Sequence, residues 1–247
     1  MSDKHLKFTN DWGETWITSS LTEEDLNATR EFYKSNLEIP EGSYFVGKND
    51  IETTAVFYQK QPMLCLSKDS GKSWEKHNFH TSMSLPAVHR FIGFTSSLEG
   101  YAALGSDFSM GTGEEKYLYL THDGGTTWEE KQLPLNGTSH TLTGICFLDN
   151  KRGIVSYEAS SDSPYPLLYA TEDAGVTWNE LHVSWDEVND EVSFLSKVDS
   201  LTFENDHYIL TLGQGSNGSV KAAFKSSVMT EEWIFQFYYK AVTHTTG

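Results

Sequence analysis

Apolar and polar residues alternate along most of this chain, in runs of about four to eight residues separated by Gly-, Asn-, Asp- and Ser-rich breaks. "RFIGF", "YAALGS" and "KYLYLT" are one set, and "LTGICF", "GIVSY" and "LLYAT" are another. A period of two with frequent turns predicts β-strands. One segment departs from it. Between Leu21 and Pro40, Leu26, Thr29, Phe32 and Tyr33 fall at helical spacing. Thr22 is placed to cap that helix, and Asp25 three residues on completes a capping box. The pattern predicts a short helix at about residues 23–35, with Pro40 ending anything helical.

The turns repeat as well as the strands. Thr121–Trp128 reads "THDGGTTW": turn chemistry followed at once by the largest apolar side chain. The pattern S/T-x-D-x-G-x-S/T-W recurs with Asp11 and Trp16, with Asp69 and Trp74, and with Asp173 and Trp178, besides Asp123 and Trp128. A fifth copy, Ser226–Trp233, keeps the first Ser and the Trp but lacks Asp and Gly. Successive box tryptophans are 58, 54, 50 and 55 residues apart. Three strand-like runs precede each of the later boxes and a fourth follows it. Four strands at a near-constant period read as a propeller blade. A β-sandwich would also show a hairpin every few residues, but it would not explain one anchored turn per four strands.

The repeat resembles the Asp-box, or bacterial neuraminidase repeat, of sialidase-like β-propellers. It looks most like the branch that contains photosystem II assembly factors. The resemblance implies an all-β propeller of about five four-stranded blades, formed as a single domain over residues 1–247. The first box begins at Thr9, so the first blade has only its last two strands and is expected to be incomplete. The resemblance also implies that the boxes lie at the turn between third and fourth strands, away from the usual active site. Asp11, Asp69, Asp123 and Asp173 are therefore expected to be structural, each accepting hydrogen bonds within its own turn, and Trp16, Trp74, Trp128 and Trp178 to be packing anchors.

Composition narrows the function. The formal net charge is −17, with only three arginines, which disfavours nucleic-acid phosphates and anionic membrane surfaces as partners. No apolar run has the length of a transmembrane helix, and the first residues lack a signal-peptide core. The family resemblance alone suggests an extracytoplasmic or secreted protein. Cys65 and Cys146 fall in strands of different blades and read as reduced core residues, with a disulfide possible but unsupported.

The loops at the end of the blades opposite the boxes hold the candidate binding residues: Arg30 and Tyr33; His80, His89 and Arg90; Asp107, Phe108, Glu114 and Glu115; His140; Glu158, Asp162 and Tyr165; and Trp185, Asp186, Glu187, Asp190 and Glu191. Trp185 is the only tryptophan of the seven outside the boxes. In the acidic stretch "SWDEVND" it either tucks into the adjacent blade or shares a groove with Tyr165, with Asp186 and Glu187 as acceptors, and in the second case contributes little to stability. Asp107, His89 and Arg90 are the further ligand-binding candidates.

Three readings compete. Sialidase chemistry is disfavoured, because Arg152 lies in the turn "DNKRG" at the box end, and Glu38 stands where the family's first arginine is expected. Hydrolysis of a neutral glycan by a carboxylate pair stays open, although no pair is singled out. Metal binding by His80, His89 and His140 lacks close ligand spacing. The preferred reading is a non-catalytic binding or scaffold propeller without cofactor or metal, which takes a protein or carbohydrate partner at its inter-blade loops.

Overall fold

The alternation becomes eighteen strands in a computed structural model that describes residues 5–9, 11, 13–25, 39–48, 50–59, 61–108, 111, 113–159, 162–188 and 191–241. The chain forms two compact units, residues 1–132 and 133–247.

The first unit opens with a two-stranded antiparallel pair, β1 (Lys7–Phe8) and β2 (Ile17–Thr18). Two four-stranded antiparallel meanders follow. The first consists of β3 (Tyr44–Val46), β4 (Thr54–Tyr58), β5 (Met63–Ser67) and β6 (Glu75–Asn78). The second consists of β7 (Ala87–Phe94), β8 (Gly100–Ser106), β9 (Lys116–Thr121) and β10 (Glu129–Gln132). The second unit repeats the arrangement with β11 (Leu142–Phe147), β12 (Gly153–Tyr157), β13 (Leu167–Thr171) and β14 (Asn179–Glu180). Its last sheet holds β15 (Lys197–Glu204), β16 (His207–Gly213), β17 (Val220–Ser226) and β18 (Ile234–Lys240). Among the described residues there are thus four complete blades and one of two strands, as the period predicts.

Burial separates inner from outer strands. β4 and β12 are buried along their whole length, because a blade's second strand is covered on both faces. The fourth strands β6, β10 and β14 are exposed and carry "EKHN", "EEKQ" and "NE". Between the sheets of the first unit, Phe57, Leu64, Leu66, Ile92, Phe94, Leu104 and Tyr119 make one core. Phe79 sits at its centre, edge-on to Phe57 and Tyr119 at 4.9 Å each and to Trp128 at 5.3 Å. Phe8, Leu21, Val56, Tyr58 and Cys65 pack the two-stranded sheet onto its neighbour. In the second unit Trp233, Phe224, Leu210, Leu212 and Ile154 anchor a single cluster. Both cysteines are free thiols.

The capping box of the predicted helix is present. Thr22 donates its N–H and hydroxyl to Asp25 Oδ2 at 2.9 and 3.0 Å, and Asp25 N–H donates to Thr22 Oγ1 at 3.4 Å. Lys76 Nζ donates to the same Oδ2 at 2.7 Å. Glu23–Asp25 begin a helical turn. The rest of the predicted helix, together with Arg30, Tyr33 and Glu38, lies outside the described residues, as does Asp190.

Candidate functional site

The four boxes share one hydrogen-bond pattern. In each, the first Ser or Thr donates its hydroxyl to Asp Oδ1 at 2.8–2.9 Å and accepts the box Gly N–H at 2.8 Å. The second Ser or Thr donates its N–H to Oδ1 at 2.8–2.9 Å and its hydroxyl to Oδ2 at 2.5–2.6 Å. The carboxylate is thereby saturated by its own turn. In Asp11, Asp69 and Asp173 the side-chain hydroxyl of Thr15, Ser73 or Thr177, followed by the backbone N–H of the same residue, holds the pKa at about 2. In Asp123 burial opposes the shift, yet Thr127 and Thr121 still hold it at about 2. Trp74 and Trp128 donate Nε1–H to the carbonyls of Gly71 and Gly125 at 3.1 Å. The decayed box keeps this anchor with a new acceptor: Trp233 Nε1–H donates to Met229 O at 3.1 Å, and its side chain is fully buried. The first turn joins β1 to β2, and the other four join a third strand to a fourth, so within each four-stranded antiparallel sheet they lie at the end opposite the 2–3 loop. Arg152 shares the box end of its sheet, clamped by Asp149 at 2.6 Å and by the Tyr208 hydroxyl at 2.9 Å.

At the other end of the β7–β10 sheet, the sequence candidates fall into a charged cluster. Glu114 is fully buried over Gly105, where a Cβ would lie 1.9 Å from its Oε1. His89 Nδ1 stands 2.8 Å from Glu114 Oε1, and Lys116 Nζ stands 3.5 Å from Oε2. Burial lowers the pKa of Lys116 against the pull of Glu114. Arg90 is buried at 2% exposure and donates Nε–H to Ala87 O at 2.8 Å. Glu115 ties the 79–86 loop to this end, accepting Ser84 N–H and Oγ–H at 2.7 Å each. Asp107 is exposed and accepts the N–H of Phe108 at 2.8 Å. His89, with a side chain 35% exposed, connects the buried Glu114 to solvent. Sequence reasoning missed Lys116, although its parity in "KYLYL" matches the inward Leu118 and Leu120.

In the second unit the structure brings Tyr165 and Trp185 together. Their rings stack at 4.5 Å with an interplanar angle of 9°. Tyr165 comes from the loop between β12 and β13. Trp185 opens a 3₁₀ turn, Trp185–Glu187, in the connection to β15. Ser184, just before that turn, donates its N–H to Trp233 O at 3.0 Å, which fixes the connection to the last sheet. Both rings are half-buried, and Asp186 and Glu187 beside them are exposed. Trp185 also meets Phe224 edge-on at 5.5 Å. The expected shared groove is therefore a stacked pair, and Trp185 is braced on the core rather than carried on a free loop. Packing against the sheet, the first of the two readings, and pairing with Tyr165, the second, thus coexist at Trp185.

Similar folds occur among solved structures. A GH74 xyloglucanase from Xanthomonas campestris superposes with a TM-score of 0.53 at 15% identity, covering 94% of this chain and 36% of that one. A GH74 enzyme from Niastella koreensis gives 0.51 at 12%, covering 93% and 33%. The fold is a β-propeller. YCF48 bound to a D1 peptide is also similar, with a TM-score of 0.41 at 18% identity, covering 75% of this chain and 50% of that one. The propeller chain thus spans about a third to a half of each of these proteins. At such identities the likeness is one of fold. Neither a protein-family model nor a curated protein matches the sequence.

Proposed function

We propose that this propeller is a non-catalytic binding module that takes a carbohydrate or protein partner at the loop end of its blades, in the second unit, on Tyr165 and Trp185. The observation that carries this reading is the stacked, half-exposed aromatic pair flanked by two exposed carboxylates. A rigid aromatic platform offers a large apolar face at small entropic cost, and it suits a sugar ring or an apolar side chain. Asp186 and Glu187 add acceptors for hydroxyl groups or for a basic group of the partner.

The test is a glycan array and a peptide array probed with the wild-type chain and with Tyr165→Ala. Binding that Tyr165→Ala abolishes at an unchanged melting temperature supports the reading. Binding that survives this change, or turnover of a bound glycan, overturns it.

A further inference from the structure

The fourth strands of this protein are not alike. β6, β10 and β14 are two to four residues long and strongly polar, the short charged form that keeps a sheet edge from pairing. β18 is seven residues long and reads "IFQFYYK". It is the last strand in its sheet. Phe237 is 57% exposed, Ile234 47% and Tyr239 43%. The pairings Lys225↔Ile234, Ala223↔Phe237 and Lys221↔Tyr239 put these three side chains on one face, while Phe235 and Tyr238 point to the core on the other.

Two details show that this edge accepts backbone hydrogen bonds. At its start the chain adds one parallel rung of its own: Trp233 N–H donates to His182 O, and Ser184 N–H donates to Trp233 O, at 3.0 Å each. The added segment then turns away at Trp185. Further along, the side-chain amide of Gln236 folds back to donate to Ile234 O at 3.2 Å and Phe235 O at 3.1 Å. It thereby covers acceptors of the strand with a group that is easily displaced.

We infer that the outer edge of β18 is a docking site for an extended segment of a protein partner, which adds as a fifth strand, with apolar residues at alternate positions and acidic residues between or beside them. The acidic preference follows from charge. In a chain of net charge −17, Lys221 and Lys225 on β17 share the face of the aromatic strip, and no acidic residue of the two strands lies on that face. Lys221 also reaches Asp199 at 3.0 Å, which leaves Lys225 as the principal contact. A second copy pairing β18 with β18 would set lysines of both copies around one seam, so a partner of opposite sign is favoured. Main-chain hydrogen bonds supply affinity in this mode, and alternate side chains supply selectivity.

The test selects a random ten-residue peptide display library on the full chain, in parallel with Phe237→Ser/Tyr239→Ser. Both residues are exposed, so the variant is expected to fold with an unchanged melting temperature. The expected result is a selected pool enriched in alternating apolar residues with Asp and Glu. Its best member should lose at least about tenfold in affinity on the variant. N-methylation at every second residue of that peptide should remove binding in one phase and spare it in the other, as strand pairing requires. A pool without this pattern, equal affinity for the variant, or insensitivity to N-methylation in both phases overturns the inference. A wild-type dimer in sedimentation that the double substitution dissociates also overturns it, because the occupant is then a second copy. Tyr165→Ala should leave this peptide affinity unchanged, which separates the edge from the loop-end site.

Discussion

Asp123 holds Thr127 twice: Oδ1 accepts the Thr127 N–H at 2.9 Å and Oδ2 accepts its hydroxyl at 2.6 Å. The same grip recurs between Asp11 and Thr15, Asp69 and Ser73, and Asp173 and Thr177. A carboxylate whose oxygens are both committed to its own turn has little left for a ligand. Asp123→Ala is expected to lower stability by about 1–2 kcal/mol, the loss of charge-assisted bonds discounted for their partial exposure. Ligand binding should be unaffected. Urea unfolding of the variant beside the wild type checks the first part, and titration of any array hit checks the second.

The boxes also set an acid limit. Their folded pKa of about 2 lies below the ordinary 3.8. Groups with depressed folded pKa values stabilise the fold fully above the unfolded value and lose that contribution as pH falls through the folded one. The melting temperature is therefore expected to fall between about pH 4 and pH 2. Asp69→Asn/Asp123→Asn/Asp173→Asn should start lower and lose less across that window. Parallel loss in the two proteins would show that other groups dominate.

The box turn places two successive residues in the left-handed region. In the third box these are Gly124 and Gly125, at φ 69° and 87°. In the fourth they are Ala174 and Gly175, at 61° and 78°. Ala174 carries a Cβ penalty there that Gly124 avoids. Ala174→Gly is expected to stabilise the protein by about 1 kcal/mol in chemical denaturation, against the usual direction of Ala→Gly changes.

The buried pair at the end of the β7–β10 sheet gives the opposite kind of prediction. Lys116→Met takes a buried cation from beside the fully buried Glu114, at a cost of about 3–5 kcal/mol. Lys116→Met/Glu114→Gln should recover most of that loss. If the double variant is no more stable than the single one, the pair is not an ionic clamp.

What was legible in the sequence followed from local chemistry. The strand period, the anchored turn with its first and second Ser or Thr, and the Thr22–Asp25 capping box each rest on residues within eight positions of one another. All three recur in the structure. Less legible were features fixed between strands. The fifth box lacks Asp and Gly, yet its Trp233 is fully buried while Trp16 of an intact box is 57% exposed. Burial there depends on the neighbouring sheet rather than on the motif. Trp233→Ala is accordingly expected to cost about 3–5 kcal/mol and Trp16→Ala under about 1 kcal/mol. Likewise the sequence placed Trp185 beside Tyr165, but the brace on Phe224 comes from β17, about forty residues away in the chain and visible only in three dimensions.

Calorimetric titration of the strongest glycan- or peptide-array hit into the wild type, Tyr165→Ala and Asp186→Asn/Glu187→Gln tests the proposed binding role most directly, with melting curves recorded on the same samples. The expected result is at least about a tenfold loss of affinity in Tyr165→Ala and a smaller loss in the double variant, both at unchanged melting temperature. Equal affinity across the three proteins, or release of a cleaved product during the titration, would contradict a binding module built on the Tyr165–Trp185 stack.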